Sequence, residues 1–134
     1  MKKSAVCCII VGNEILLLER PPKDSTMRGW CIPGGKLDPG ETEVEGAIRE
    51  LLEESGVKVE DPQYAGDYIS AVKENVVSVY FKKLKSKPEV TISKEHVDYK
   101  WVALENIPDY RLAGNTITFI NAILEVIKNG KYKR

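Results

Sequence analysis

Residues 4–11 read SAVCCIIV, a run without any charged side chain, and this run constrains the fold more than any other part of the sequence. Successive side chains of a β-strand point to opposite faces. A strand that is apolar on both faces is therefore expected to be buried on both sides. Gly12-Asn13 is typical of a tight turn, and residues 15–18 supply a second apolar run. We therefore expect a hairpin inside a layered fold.

Further apolar runs and turn residues predict both helices and strands along the rest of the chain. Thr42 followed by Glu45 matches a capping box, and Gly56 is typical of a left-handed helix end, so a first helix is expected between them. A last helix is expected from a cap at Asn115 or Thr116 to about residue 129. Further strands are expected at residues 30–32, 57–59, 64–71, 76–84 and 99–103. This order of elements predicts one α/β (or α+β) domain over residues 1–134.

Charge and apolar run lengths exclude several kinds of partner. The chain has 20 Lys+Arg and 20 Asp+Glu, a formal net charge of zero, so no long nucleic acid is expected as a partner. No apolar run approaches the ~20 residues of a membrane span, and no signal peptide is recognisable, so no membrane is expected. Cys7, Cys8 and Cys31 fit neither a disulfide framework nor a zinc spacing. We interpret them as small buried residues of a cytoplasmic protein.

The first predicted helix carries an unusual concentration of acids. At ~100° per residue, Glu50, Glu53 and Glu54 share one face of this helix. The residues expected to face a core are Val44, Ile48, Leu51 and Leu52. A solvated polar face is one interpretation of the acids. However, like charges four residues apart disfavour a helix by roughly 0.2–0.5 kcal/mol, and a hard divalent cation with oxygen ligands would cancel the repulsion. The spacing alone leaves both interpretations open.

The segment before this helix, PGGKLDPGE at residues 33–41, is expected to be a glycine-rich loop, and it adds the context that the spacing lacks. Its glycines allow the backbone to approach a ligand closely. Gly35, five residues, Glu41, seven residues and then RELLEESGV at residues 49–57 match every fixed position of the Nudix box. On this motif the chain resembles a Nudix hydrolase, and the similarity extends more loosely over most of the sequence.

The resemblance implies a mixed β-sheet sandwiched between α-helices, and hydrolysis of a nucleoside diphosphate linked to another group with Mg²⁺ or Mn²⁺ as cofactor. The residues that correspond to metal ligands are Gly34 (through its carbonyl), Glu50, Glu53 and Glu54. Arg49 would orient a carboxylate by a charge-assisted hydrogen bond. Glu41 would support the loop or a second metal ion.

The resemblance also implies a glutamate as general base, a role that contributes ~100- to 10,000-fold to the rate. In the family this glutamate belongs to the Arg-Glu pair, here Glu50, or lies in a distant loop, for which Glu95 is the candidate. The match to the box favours Glu50, and Glu95 stays the alternative. His96, the only histidine, is interpreted as a structural or surface-loop residue.

Three further residues correspond to substrate contacts in MutT-type members of the family. Arg20 and Lys36 lie where such members have phosphate-contacting cations, and Asn115 resembles an asparagine that reads the base. An ordinary helix cap at Asn115 would look the same in the sequence. Lys23 and Arg28 form either a basic rim or solvated loop charges.

The expected substrate is a nucleotide, and its subclass follows from markers that several Nudix subfamilies carry after the box. A proline fifteen to eighteen residues past the box glycine suggests ADP-ribose, and a tyrosine suggests dinucleoside polyphosphates, whereas residues 71–74 here read AVKE. We therefore expect a nucleoside triphosphate to be cleaved to a monophosphate and pyrophosphate. ADP-ribose or another nucleotide sugar is the alternative, and a non-catalytic nucleotide-binding module is a third interpretation. The protein is expected to be a monomer or a homodimer.

Overall fold

A computed structural model of the chain describes residues 2–22, 28–70 and 74–130. Within these residues, seven strands form one mixed sheet, and a helix packs on each of its faces. In chain order the elements are β1 (Lys2–Val11), β2 (Glu14–Arg20), β3 (Gly29–Cys31), β4 (Gly34–Lys36), α1 (Glu43–Ser55), β5 (Gln63–Ser70), β6 (Asn75–Leu84), β7 (Asp98–Ala103), a 3₁₀ helix (Leu104–Asp109) and α2 (Thr116–Asn129). The predicted mixed sheet between helices is confirmed.

Strand β1 lies at the centre of the sheet, and its two faces belong to two different cores. Its even-numbered residues from 6 to 10 pack in the core that includes α2, and its odd-numbered residues from 5 to 9 pack in the core that includes α1. The predicted strand with two buried faces is therefore confirmed. Cys7, Cys8 and Cys31 are all buried free thiols, as expected, and burial raises the pKa of Cys7 and of Cys31 to about 12.

The neighbours of β1 position the two halves of the candidate site. On one side β1 pairs antiparallel with β2 and, through residues 4–6, with β4. On the other side it pairs with β6 in parallel over ten residues, from Lys2 opposite Asn75 to Val11 opposite Leu84. Strand β5 pairs antiparallel with β6 at the end of the strand order. The glycine-containing β4 and the start of β6 therefore lie on opposite sides of the N-terminal half of β1.

Helix α1 begins and ends where the sequence predicts. The Glu45 N–H donates to Thr42 Oγ1 at 3.2 Å, and the Thr42 N–H donates to Glu45 Oε1 at 2.9 Å, which completes the capping box. Gly56 ends the helix with φ +74°, a conformation that favours glycine, and its N–H donates to the Leu52 carbonyl.

Helix α2 also has the expected bounds and its N-cap position at Asn115, but the side-chain hydrogen bond of a cap is not formed. Asn115 occupies the position before the helix, yet its side chain makes no capping hydrogen bond. The Thr116 hydroxyl instead donates to the Ala113 carbonyl at 2.7 Å. The buried side chains of α2, which fix it on the sheet, are Thr116, Phe119, Ile120, Ile123 and Val126.

Three local predictions differ from the structure. Residues 57–59 form no strand, although Val57 and Val59 are buried beside α1. Gly34–Lys36, interpreted as loop because of its glycines, forms the short strand β4 against β1. Leu52 is 44% exposed rather than turned to the core, because the buried stripe of α1 runs through Ala47, Leu51, Glu54 and Ser55. None of the described helices is long and apolar enough to span a bilayer.

Candidate active site

Strand β4 brings Gly34 and Gly35 against the acids of α1. The Gly34 N–H donates a hydrogen bond of 3.0 Å to Glu54 Oε1. A Cβ atom on Gly35 would lie 2.6 Å from Glu50 Oε2, a distance at which one of the two groups must move. A side chain at position 35 would therefore displace the carboxylate of Glu50 from its place beside β4.

Arg49 holds the acids of this region together. Its Nε and Nη2 donate to the two oxygens of Glu41 at 2.7 and 3.0 Å, and its Nη1 donates to Glu50 Oε1 at 2.8 Å and to Glu53 Oε1 at 2.9 Å. Nη2 also donates to the Lys36 carbonyl at 3.0 Å. The guanidinium fork can serve several acceptors in one plane, which a lysine could not do. Arg49 thus links the loop before α1 to two acids of the helix.

Glu54 is the most deeply buried acid of the group. It is 5% exposed, and burial raises its pKa to about 8, with further contributions from the charge of Glu50, a hydrogen bond with Glu50 and the charge of Glu95. The Gly34 N–H acts in the opposite direction, since it favours the charged form. Without a counterion, burial therefore favours the protonated form of Glu54.

The acids provide the type of ligand that a hard divalent cation binds. Glu50, Glu53 and Glu54 offer only carboxylate oxygens, and Arg49 occupies Oε1 but not Oε2 of Glu50 and Glu53. In the described part of the chain, no three acid, cysteine or histidine side chains form a ready-made cation site. The buried Glu54 fits a cation nevertheless, because a nearby positive charge would stabilise the carboxylate form that burial disfavours.

A loop after β6 packs against the C-terminal end of α1 and carries the second candidate base. The Ser93 N–H donates to the Glu54 carbonyl at 3.2 Å, and the Glu95 N–H donates to Ser93 Oγ at 3.3 Å. Glu95 is exposed, but its charge contributes to the raised pKa of Glu54. His96 is 5% exposed, and its Nε2 lies 3.9 Å from Cys31 Sγ, which agrees with a structural histidine. Burial lowers the pKa of His96, and so does the charge of Arg20.

A cavity of about 130 Å³ lies on the side of Gly34 and Gly35 away from α1. The predicted substrate residues Arg20, Lys36 and Asn115 all line it, together with both glycines. The structure therefore brings these separate parts of the sequence to one place. Arg28 is exposed and does not line this cavity, and Lys23 lies outside the described residues.

The cavity also contains polar residues that sequence reasoning missed, Ser70 and Asn75. The Ser70 hydroxyl donates to Asn115 Oδ1 at 3.2 Å, so the Asn115 side chain is held at the cavity instead of capping α2. Asn75 begins β6 and shares its inward face with Val77 and Val79. A polar residue at an inward position of an otherwise apolar strand is the signal that could have found it.

The family model of the NUDIX domain matches residues 1–122 of the chain. The chain belongs to the Nudix family, and it is a Nudix hydrolase. The resemblance inferred from the box is therefore confirmed. Nudix hydrolases use divalent metal ions, in agreement with the donor set of Glu50, Glu53 and Glu54.

Relatives of this Nudix hydrolase carry names that span several substrates. An asymmetrical bis(5'-nucleosyl)-tetraphosphatase of Caenorhabditis elegans is 34% identical, over 83% of this chain and 85% of the relative. The nucleoside triphosphatase NudI of Enterobacter sp. (strain 638) is 30% identical, over 79% of this chain and 85% of the relative. A solved structure of a bifunctional NMN adenylyltransferase/ADP ribose pyrophosphatase from Francisella tularensis, complexed with AMP and a Mn ion, is 25% identical, with a TM-score of 0.72. It is matched over 92% of this chain and 41% of that chain.

Proposed function

We propose that this Nudix hydrolase cleaves a nucleoside triphosphate to a nucleoside monophosphate and pyrophosphate in a reaction that depends on Mg²⁺ or Mn²⁺. The observation that carries the proposal is the position of Gly34 and Gly35 between two groups of residues. On one side of these glycines lie Glu50 and Glu54, and on the other lies the cavity with Asn115. A nucleotide with its base in the cavity would direct its phosphates over the glycines towards the acids.

The acids of α1 would hold the cation. Glu50, Glu53 and Glu54 supply carboxylate oxygens, and the Gly34 carbonyl supplies a further oxygen ligand. A bound divalent cation neutralises phosphate oxygens and lowers the pKa of water. Arg49 keeps the carboxylates of Glu50 and Glu53 in place through its 2.8 and 2.9 Å hydrogen bonds.

The remaining polar residues would bind substrate and transfer the proton. Lys36 and Arg20 line the cavity and offer positive charge to the phosphates. Glu50 removes a proton from the attacking water, whose oxygen bonds to phosphorus while the phosphoanhydride bond breaks and pyrophosphate leaves. Glu50 is favoured over Glu95 because its Oε2 lies against Gly35 at the cavity wall, whereas Glu95 is an exposed loop residue.

The choice of a triphosphate rests on the chain's own residues and on one relative. Residues 71–74 carry neither the proline nor the tyrosine that suggests ADP-ribose or dinucleoside polyphosphates. The Enterobacter relative is named a nucleoside triphosphatase. The names of the C. elegans and Francisella proteins make diadenosine tetraphosphate and ADP-ribose the two competing substrates to be tested.

A substrate panel tests this proposal. Purified protein is assayed with Mg²⁺ and with Mn²⁺ on all common ribo- and deoxyribonucleoside triphosphates, ADP-ribose and diadenosine tetraphosphate, with Glu53→Gln as the control for contaminating activity. We expect the highest kcat/KM on a triphosphate, with monophosphate and pyrophosphate as products. A higher kcat/KM on ADP-ribose or on the tetraphosphate would contradict the proposed substrate. Binding without turnover on any compound would indicate a non-catalytic module.

A further inference from the structure

The thiol of Cys31 lies between a guanidinium and an imidazole in the wall of the cavity. Its Sγ is 3.9 Å from Nε2 of His96, and the same thiol has a side-chain hydrogen bond with Arg20. Cys31 and Arg20 both line the cavity. The three residues come from β3, from the loop after β6 and from β2, so distant parts of the chain meet at one sulfur atom.

The pairing of β2 with β3 makes Arg20 and Cys31 diagonal neighbours. Leu18 is opposite Cys31, and Arg20 is opposite Gly29, so the side chains of Arg20 and Cys31 share one face of the ladder two positions apart. Gly29 has no side chain, and Arg20 therefore has no cross-strand side chain directly opposite it. This register allows the long Arg20 side chain to extend towards the sulfur of Cys31.

The loop after β6 brings His96 to the same point. The Val97 N–H donates to the Glu19 carbonyl at 3.0 Å, so the loop is fixed beside the residue that precedes Arg20. His96 is 5% exposed, and its Nδ1 has no hydrogen-bond partner among the described residues. Burial and the charge of Arg20 lower the pKa of His96, which favours the neutral ring. A neutral imidazole can lie near a guanidinium without charge repulsion.

A thiol suits a position between Arg20 and His96. Its sulfur is a weak acceptor for the guanidinium, and its S–H is a weak donor for a ring nitrogen. Burial keeps the thiol of Cys31 protonated, since its pKa rises to about 12. A carboxylate at this place would neutralise Arg20, whereas the neutral thiol leaves the positive charge available for an anion.

We infer that Cys31 and His96 are positioning residues for Arg20: the thiol and the imidazole hold the guanidinium in the cavity wall, where it donates hydrogen bonds to phosphate oxygens of the nucleotide. The inference rests on the proposed function, in that the phosphates of a bound nucleotide come within reach of Arg20. It gives a role in substrate binding to two residues outside the box motif.

Substitutions of Cys31 and His96 test the inference. Cys31→Val removes the acceptor, Cys31→Ser keeps one, and Cys8→Val in β1 is the matched control for the loss of a buried thiol. In Cys31→Val and His96→Leu, KM for a nucleoside triphosphate should rise by about 3- to 10-fold, with kcat changed by less than about twofold, because the phosphate contact is made in both the ground state and the transition state. Cys31→Ser and Cys8→Val should keep the wild-type KM.

A double-mutant cycle with Arg20→Met distinguishes positioning from a purely structural role. Methionine keeps a long side chain but has neither the charge nor the donors of arginine. In this background, Cys31→Val and His96→Leu should change KM by less than about twofold, because no guanidinium remains to be held. The Kd of the same triphosphate, measured by calorimetry in EDTA to prevent turnover, should show the same dependence on Arg20.

Two results would overturn the inference. One is an unchanged KM and Kd in both Cys31→Val and His96→Leu. The other is an equal rise of KM with and without Arg20, together with a lower melting temperature, which would make the two residues structural. If triphosphates bind with the expected dependence on Arg20 but are cleaved with neither Mg²⁺ nor Mn²⁺, the proposed function fails while this inference stands. If they are cleaved but the dependence is absent, the proposed function stands and this inference fails.

Discussion

The Gly34 N–H donates a hydrogen bond of 3.0 Å to Oε1 of Glu54, so the wall of the cavity is joined directly to the acid helix. The bond favours the carboxylate form of Glu54, but burial outweighs it and the pKa of Glu54 rises to about 8. The Glu54 side chain therefore has two roles. It accepts the hydrogen bond that fixes Gly34 against α1, and its pKa is raised by burial. Its protonation should be measurable in the stability of the protein.

The stability of the metal-free protein should fall with rising pH because of Glu54. Its pKa is about 8 in the folded state against an ordinary value of 4.5, so the folded state binds more protons between these values. The contribution is fully present below about pH 4.5, and it is lost as the pH rises through 8. Melting temperatures in EDTA from pH 5 to 9 should show this trend in wild type relative to Glu54→Gln, whose neutral amide cannot ionise. At pH 8, Mg²⁺ should restore the melting temperature of the wild type. If the melting temperatures of the two proteins change in parallel with pH, the prediction is contradicted.

Glu53→Gln should weaken metal binding and leave the stability of the fold nearly unchanged. The Glu53 side chain is 57% exposed and contacts Arg49, so its loss should change the melting temperature little. Activity at limiting Mg²⁺ should fall by about 100-fold or more, because a neutral amide is a poor ligand for a hard cation. Glu125→Gln on α2 is the matched control, and full activity of Glu53→Gln at limiting Mg²⁺ would show that Glu53 is not a ligand.

The identity of the general base can be read from pH–rate profiles of two variants. We expect Glu50→Gln to reduce kcat strongly and to flatten the acid limb of the profile, while Glu95→Gln keeps the wild-type shape. Metal titrations of both variants show whether a loss of kcat reflects metal binding instead. If Glu95→Gln carries the flattened limb and binds metal normally, then Glu95 is the base.

Asn115→Ala should alter substrate preference without destabilising α2. Loss of a helix cap would cost ~1 kcal/mol of folding free energy, but the Asn115 side chain makes no capping bond, so the melting temperature should stay nearly constant. A lost base contact costs ~1–3 kcal/mol in a dry site, or about 5- to 150-fold in kcat/KM on the preferred triphosphate. Kinetics with several triphosphates measure this selectivity. Ser70→Ala should cause a smaller loss of the same kind, because it only releases the Asn115 oxygen.

Helix α1 illustrates what local sequence could and could not predict. Its bounds follow from Thr42, Glu45 and Gly56, whose capping interactions involve neighbours along the chain. The face that the helix buries was not predictable in the same way. Leu52 is exposed and Glu54 is buried, because an acid of the site occupies a position where a simple amphipathic pattern would place a leucine. The predicted strand at residues 57–59 is wrong for a related reason. Apolar side chains indicate that a segment is buried, but they do not show that its backbone is hydrogen-bonded to another strand.

The two walls of the cavity differ in predictability as well. Gly34, Lys36 and the acids lie in or directly beside one continuous motif, so the sequence pointed to this region as a whole. Ser70 and Asn75 reach the cavity through the pairing of β5, β6 and β1, and this register depends on contacts between distant parts of the chain. No short motif marks such residues.

The parallel pairing of β1 with β6 also has a consequence for the order of folding. Its paired residues, such as Val6 and Val79, are 73 positions apart, and the chain between the two strands contains β2, β3, β4, α1 and β5. Closing so long a loop costs entropy before any contact is gained, and non-local pairings of this kind slow folding. Helix α1 can form early from its own caps, but the wall that carries Asn75 cannot meet Gly34 until this loop closes. During refolding, the affinity for a nucleotide should therefore return with the slowest phase, well after the helical signal.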